Sequence, residues 1–355
     1  MMFDPEVRAC FLEKHGWKIV SPLGQDSSLR RYFRISGNSQ NGVLMESVPD
    51  SSPHAMTGHK MGDFLRIADW LRSVGLSAPE ILAQDLAHGY LILEDFGDVS
   101  FGNLLSRHSR EGGNPEQIYE RGAEVLDHLA SQKNLPDLPR YYDSHVHTRH
   151  CYVLEYYVPF LTSFPPRVEA RGRLRRESMD PVFQRDDGEV VEYLRIWKVI
   201  EQSLPPCPQG FLHVDFHADN LMFLEGRTGL KQCGLLDFQG AMIGPVPYDL
   251  VNFLEDARRD VPEEIRTKIL GRYDETFQRW YRVLGTQFHC RVIGQFIKLA
   301  GEGKTQYLAH IPRLENYIKT ALHDPLLSPL KIFFDDIGVD FSGEEGLKQT
   351  LSLSS

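Results

Sequence analysis

Up to about residue 95 the apolar positions fall in short runs, and beyond it they recur every three to four residues. Trp17-Lys18-Ile19-Val20, Arg31-Tyr32-Phe33-Arg34-Ile35 and Gly42-Val43-Leu44-Met45 are rich in β-branched and aromatic residues, which predicts three strands. Polar turn formers at Gln25-Asp26-Ser27-Ser28 and Ser36 to Asn41 predict the loops that join them. Phe64, Ile67, Ala68, Leu71 and Val74 lie on one helical face, and Gly75 is placed to end that helix. Pro79 then precedes a strand pair whose last member is Tyr90-Leu91-Ile92-Leu93, and Glu94-Asp95-Phe96-Gly97 is a polar, glycine-containing exit. Amphipathic helices are expected over Gln117–Gln132 and Val190–Leu204. The pattern predicts an α+β chain of two unequal parts, a small antiparallel-sheet lobe at 1–95 and a larger, mainly helical lobe at 96–355.

Composition narrows the function classes. With 355 residues the chain is long enough for about two folding units. Its 39 basic and 49 acidic residues give a net charge of −10, a poor starting point for nucleic-acid binding. No apolar run approaches the ~18 residues of a membrane helix. Met1 to Val20 lacks the basic-then-apolar order of a secretory leader. Cys10, Cys151, Cys207, Cys233 and Cys290 are scattered, odd in number and free of C-x-x-C pairs, which fits a reducing cytoplasm. His145, His147, His150 and Cys151 are local enough to suggest zinc, but lack a complementary second cluster, so a surface loop or helix start is expected there. Arg107–Glu116 is expected to be a polar surface insertion. The arginines at 167, 171, 173, 175, 176 and 185 suggest a solvated loop or an anion-attracting lid.

The densest chemistry lies between Gly210 and Asp249. His213-Val214-Asp215-Phe216-His217-Ala218-Asp219-Asn220 is a polar loop leading into a strand at Leu221–Leu224. A turn at Glu225–Gly229 and a returning strand at Gln232–Leu236 deliver Asp237-Phe238. In such a hairpin Asn220 and Asp237 share the open end. An amide oxygen and a carboxylate are hard donors suited to Mg²⁺, and Asp215 on the preceding arm can accept a proton from an alcohol. Base, metal-binding Asn and metal-binding Asp, in that order, are the parts of phosphoryl transfer. Asp249, in Pro247-Tyr248-Asp249, is expected to cap a helix or brace the loop, and Asp219 to be a solvated neighbour.

H-x-D-x-x-x-x-N, a hairpin and an apolar run ending in Asp resemble the catalytic and metal segments of the protein-kinase-like superfamily. The added His217 resembles its aminoglycoside phosphotransferase and choline kinase branch. The resemblance implies a two-lobe kinase fold, Asp215 as catalytic base, Asn220 and Asp237 as Mg²⁺ ligands, and His213 as a loop prop. Asp95-Phe96-Gly97 spells the kinase metal motif but precedes the catalytic loop, so by the resemblance it is the hinge, with backbone near Glu94 and Phe96 holding the adenine of ATP. The first lobe departs from the kinase pattern. Gln25–Leu29 lacks a G-x-G-x-x-G, and Leu44-Met45-Glu46 stands where a lysine strand is expected. Arg30, Arg31 or Arg34 could supply that charge, and Arg31 is taken as the cofactor contact.

Ser28 to Arg34, Leu44-Met45-Glu46 with Pro49, Ile67-Ala68-x-x-Leu71 with Gly75, Ala78-Pro79-Glu80-Ile81, Leu91 to Gly97, and Gly303-Lys304-x-x-Tyr307-Leu308 with Ile311-Pro312-Arg313 carry a narrower likeness. They resemble the bacterial anomeric sugar kinases that phosphorylate N-acetylmuramate and N-acetylglucosamine at C1. That resemblance implies a role in peptidoglycan recycling, with the product passed to a nucleotidyltransferase. It also implies substrate contacts among His217, Arg291, Lys298, Lys304, Tyr307 and Arg313. Alternatives are another small alcohol, such as an aminoglycoside or choline, and a nucleotide-binding protein without activity.

Overall fold

The computed structural model describes residues 4–24, 30–52, 60–111, 114–162 and 187–341. The polar turn at 25–29 and the arginine-rich stretch through Arg176 and Arg185 lie outside the described residues. The elements run α1 (Pro5–Lys14), β1 (Trp17–Pro22), β2 (Arg31–Gly37), β3 (Gln40–Glu46), α2 (Met61–Ser73), β4 (Ile81–Asp85), β5 (Tyr90–Glu94), α3 (Phe101–Glu111) and α4 (Pro115–Ala130). Then come α5 (His145–Thr148), α6 (Val158–Thr162), α7 (Asp187–Gln202), β6 (Gln209–Leu212), β7 (Leu221–Phe223), β8 (Cys233–Leu235) and β9 (Met242–Pro245). The last helices are α8 (Pro247–Leu254), α9 (Glu263–Leu270), α10 (Glu275–Gly301), α11 (Ile311–Ala321) and α12 (Ser328–Asp336). Two compact units result, one of Met1–Pro139 with Gly210–Ile243, the other of Arg140–Gln209 with Gly244–Ser355.

In the first unit the five expected strands form one antiparallel sheet in the order β1-β2-β3-β5-β4. Residues opposite one another in the ladder share a face. Arg31 faces Glu46, Phe33 faces Leu44 and Ile35 faces Gly42, while Tyr32 faces Met45 and Arg34 faces Val43. The first set belongs to the face covered by α1, whose Phe11 and Leu12 join Trp17, Ile35, Leu44, Tyr90 and Ile92 in a buried cluster. The period-2 pattern thus yields two faces, one for a core and one for other work.

Two expectations change here. Helix α1 is an additional element, capped by Asp4, whose carboxylate accepts the Glu6 N–H at 2.9 Å with Pro5 in the first turn. The loop expected from Ser36 to Asn41 shrinks to Asn38-Ser39, both at positive φ (51° and 62°), a two-residue turn whose twist suits a hairpin. Helix α2 ends as its sequence indicates. Gly75 sits at φ +87° and the Leu76 N–H reaches back to the Leu71 carbonyl at 3.0 Å. Residues 107–111 continue α3, so much of the expected insertion is helix.

The second unit is helical around α10, capped by Asp274, whose carboxylate accepts the Phe277 N–H at 2.8 Å. The Tyr157 hydroxyl donates to Glu315 at 2.7 Å in the buried interior. Tyr193, Trp197 and His150 pack ring on ring, with Phe333 and Phe334 against Tyr193. His150 is a core residue here. Among the described residues no group of three or more His, Cys, Asp or Glu is placed to hold a metal ion, and of His145, His147, His150 and Cys151 only His150 is buried.

Candidate active site

The Asp215 loop, the β7–β8 hairpin and the sheet all belong to the first unit. Strand β7 pairs with β8 through Leu221–Leu235, Met222–Gly234 and Phe223–Cys233. One step beyond this ladder the Leu236 N–H donates to the Asn220 carbonyl at 3.0 Å, which sets Asn220 beside the strand that ends in Asp237. The Asn220 side-chain amide donates from Nδ2 to the Asp215 carbonyl at 3.0 Å and lies 3.2 Å from His217 Nε2. Its nitrogen is thereby directed at the loop, and its oxygen is the atom left to face a cation. His217 thus lies against this amide and helps to fix it. Asp215 is half-buried, Asp219 exposed.

Two backbone positions carry strain. Val214, immediately before Asp215, has φ 77°, and Asp237 has φ 60° and ψ 32°. The left-handed region is costly for a β-branched residue such as Val214 and tolerable for Asp. Strain of this kind, of order 1–3 kcal/mol per residue, persists where surrounding structure over-determines a functional geometry. Gln239 Nε2 donates to Asp237 Oδ1 at 2.5 Å, fixing the carboxylate's orientation.

His213 is fully buried, its ring edge-on to Phe216 at 5.6 Å. Burial first, and then the His217 charge, push its pKa down to about 3. It stays neutral near pH 7 and acts as the loop prop expected of it. Helix α2 braces both arms of the site. Trp70 stacks on Phe211 at 4.7 Å, two residues before His213, and Phe64 meets Phe238 at 4.8 Å, directly after Asp237.

The hinge is tied to the same hairpin. Arg227, in the β7–β8 turn, pairs with Glu94, donates to Ser77 Oγ at 2.8 Å and lies over the Phe96 ring at 5.4 Å. Ser77 in turn donates to the Lys231 carbonyl at 2.7 Å and accepts the Leu235 N–H at 2.8 Å. Beyond the hinge, the Phe223 N–H donates to the Val99 carbonyl at 2.7 Å. A cleft of about 430 Å³ is lined by Glu94 to Val99 and Phe223 to Arg227. Sequence reasoning missed Arg227, whose only signal was a lone arginine in a glycine-flanked turn.

The remaining candidates have definite partners. Arg31 meets buried Glu46 at 3.5 Å, alongside Arg8 at 3.2 Å. Arg34 bonds Asp95 at 2.8 Å and Asp98 at 2.8 and 3.0 Å, which holds the Asp98 carboxyl below its usual range. In the second unit Arg291 lies over Tyr248 and Phe288, at 5.8 and 5.3 Å. Tyr307 packs on Phe296 at 4.8 Å. Arg313 grips Asp260 with two N–H groups at 2.6 and 3.0 Å and the Ala257 carbonyl with a third at 2.9 Å, the geometry of an anchor for α11. Lys298 lies 5.8 Å from both Tyr152 and Tyr156. Asp249 is buried in the first turn of α8.

A five-stranded antiparallel sheet, followed by a strained loop and a hairpin that carry one Asn and two Asp residues, has the layout of a kinase-like phosphotransferase. Residues 19–284 match the model of the phosphotransferase enzyme family, and the chain belongs to that family. It is a small-molecule kinase whose acceptor is an alcohol. Its relatives include proteins named N-acetylmuramate/N-acetylglucosamine kinase. That of Caulobacter vibrioides is 32% identical over 362 residues, covering 92% of this chain and 95% of that protein. That of Pseudomonas aeruginosa is 29% identical, covering 86% of each. Solved structures share the fold. Aminoglycoside phosphotransferase APH(4)-Ia has a TM-score of 0.56 at 14% identity, over 88% of this chain and 97% of that one. A choline/ethanolamine kinase family protein from Mesorhizobium loti has a TM-score of 0.53 at 11% identity, over 87% and 90%. No helix among the described residues is long and apolar enough to cross a membrane.

Proposed function

We propose that this chain transfers the γ-phosphoryl group of ATP to the anomeric hydroxyl of N-acetylmuramate and N-acetylglucosamine. The observation that carries the proposal is the register that sets Asn220 and Asp237 at one end of the β7–β8 hairpin, with Asp215 on the loop that feeds it. The donor set fits Mg²⁺: two hard oxygens, one of them turned outward by the hydrogen bonds of its own amide nitrogen. When bound, Mg²⁺ neutralises charge on the transferring phosphoryl group.

Asp215 orients the C1 hydroxyl and takes its proton as the oxygen attacks phosphorus. Asn220 and Asp237 hold the metal, and His217 holds Asn220. Positioning and charge stabilisation supply most of the acceleration. Residues 1–95 bind the nucleotide, with the hinge backbone near Glu94 and Phe96 against adenine, and residues 96–355 carry catalysis and the acceptor. Arg291 and Tyr307 are proposed acceptor contacts. Arg313, committed to Asp260, serves the acceptor site through α11. The sugar 1-phosphate is a substrate for a nucleotidyltransferase, as in cytoplasmic recycling of peptidoglycan sugars.

Phosphorus NMR of the purified chain with ATP, Mg²⁺ and a panel of acceptors tests this. The expected result is an anomeric sugar phosphate from N-acetylglucosamine or N-acetylmuramate. Turnover only of an aminoglycoside or of choline would exclude the sugar assignment.

A further inference from the structure

The kinase reading leaves a positive charge to be found near the nucleotide's phosphates, because the β3 strand has no lysine. Ladder register shows what replaces it. Met45 and Val43 stand on the sheet face opposite α1, and Met45 is fully buried, so β3 presents thioether and hydrocarbon there rather than an ammonium. Three neighbouring arginines could compensate. Arg31 shares a face with Glu46, Leu44 and Phe33, the α1 face, where Arg8 lies over the Phe33 ring at 5.0 Å and pairs with the same Glu46. Arg34 is on the correct face, but Asp95 and Asp98 take its Nε and both terminal nitrogens.

Arg30 precedes β2 by one residue and is only 3% exposed. Its guanidinium carbon lies 6.0 Å from the centre of the Phe64 ring on α2. Phe64 is in ring contact with Phe238, the residue that follows the metal-binding Asp237. A chain of two aromatic rings thus connects Arg30 to the metal strand, on the side of the sheet that α1 leaves open. Arg31 lies on the other face, paired with Glu46.

We propose that Arg30 is the phosphate-binding residue that does the work of the missing β3 lysine. A planar guanidinium suits two phosphate oxygens at once, whereas an ammonium is a point charge. The inference rests on the kinase reading of the site, and its test separates the two. Binding of ADP with Mg²⁺ and of adenosine is measured for the wild type, Arg30→Ala, Arg30→Lys and Arg31→Ala, together with kcat and KM for ATP. Losing one charge-assisted contact to phosphate costs ~10- to 100-fold. Arg30→Ala should lose ADP affinity by about that factor and raise KM for ATP, while adenosine affinity changes less than ~2-fold. Arg30→Lys should recover part of the ADP affinity. A merely structural Arg30 would lower ADP and adenosine binding together, and that result overturns the proposal. So does an Arg31→Ala variant with the larger loss of ADP-over-adenosine preference. A wild type that binds no ADP removes the kinase reading itself, and the proposal with it.

Discussion

Asp215 is the base of the proposed reaction, and the residues around it show how narrowly it is placed. Its own carbonyl accepts from Asn220 Nδ2 at 3.0 Å and from the His217 N–H at 3.1 Å, while the residue before it occupies a region that valine avoids. The bonds to the Asp215 carbonyl thus help to fix the loop through the backbone. Asp215→Asn preserves shape and hydrogen-bonding size but cannot take a proton. A general base contributes ~10²- to 10⁴-fold, so kcat should fall by that factor with KM for ATP within a few-fold of wild type. Steady-state kinetics with the best acceptor would check it, and unchanged kcat would remove Asp215 as base. That Asn220 and Asp237 stand at one end of the β7–β8 hairpin was readable from spacing, because a hairpin brings its two ends together. The strain at Val214 was not, since valine is common in strands and nothing in its neighbours announces a positive φ.

At the level of elements, hinge and hairpin act as one piece. The Phe96 ring lies so close to β8 that a Cβ added at Gly234 would come within 2.7 Å of both Cδ2 and Cε2 of Phe96. Gly234 is there to admit the ring, and Arg227 lies over the same ring at 5.4 Å. Gly234→Ala must displace either the hinge or the strand that ends in Asp237. Overpacking of this kind costs about 1–3 kcal/mol, and the hinge, with Arg227 and Glu94 partly exposed, is the softer side. The expected outcome is a roughly tenfold rise in KM for ATP, the lower part of that range, with a smaller change in kcat. A variant with wild-type KM and a lowered kcat would instead locate the shift in the metal strand. Elements differed in how well sequence disclosed them. The five sheet strands and α2 were marked by period and by their terminating turns. Helix α1 was passed over because only Phe11 and Leu12 of its ten residues are buried, although Asp4-Pro5 spelled its cap. The sheet faces follow from alternation, but which face α1 covers needed the structure.

For the whole molecule, three buried histidines set the response to acid. His150, His213 and His289 all have pKa values pushed down to about 3, chiefly by burial. Their unfolded value is about 6.5. Below pH 6.5 the unfolded chain therefore takes up protons that the folded chain refuses, and stability falls as pH drops, down to about pH 3. Each such group contributes about 1–2 kcal/mol of loss at pH 5.5, one unit below its unfolded pKa. Glu255 works in the opposite sense. Burial raises its pKa, so the folded state holds a proton more readily than the unfolded chain and gains as pH falls. It sits 3.5 Å from His289 Nε2, and the two titrate as a coupled pair whose contributions oppose one another. His150 and His213 remain, one in each compact unit, and together predict a loss of about 3 kcal/mol between pH 7.5 and 5.5. His145 and His310 are shifted in the same direction by burial and add to it. Urea unfolding at the two pH values measures the difference. His150→Gln should be less stable at pH 7.5 yet lose less on acidification, because its side chain has no proton to gain. Equal stability of the wild type at pH 7.5 and 5.5 would show that these imidazoles are reached by water, and would undo the account of His213 as a neutral prop beneath the catalytic loop.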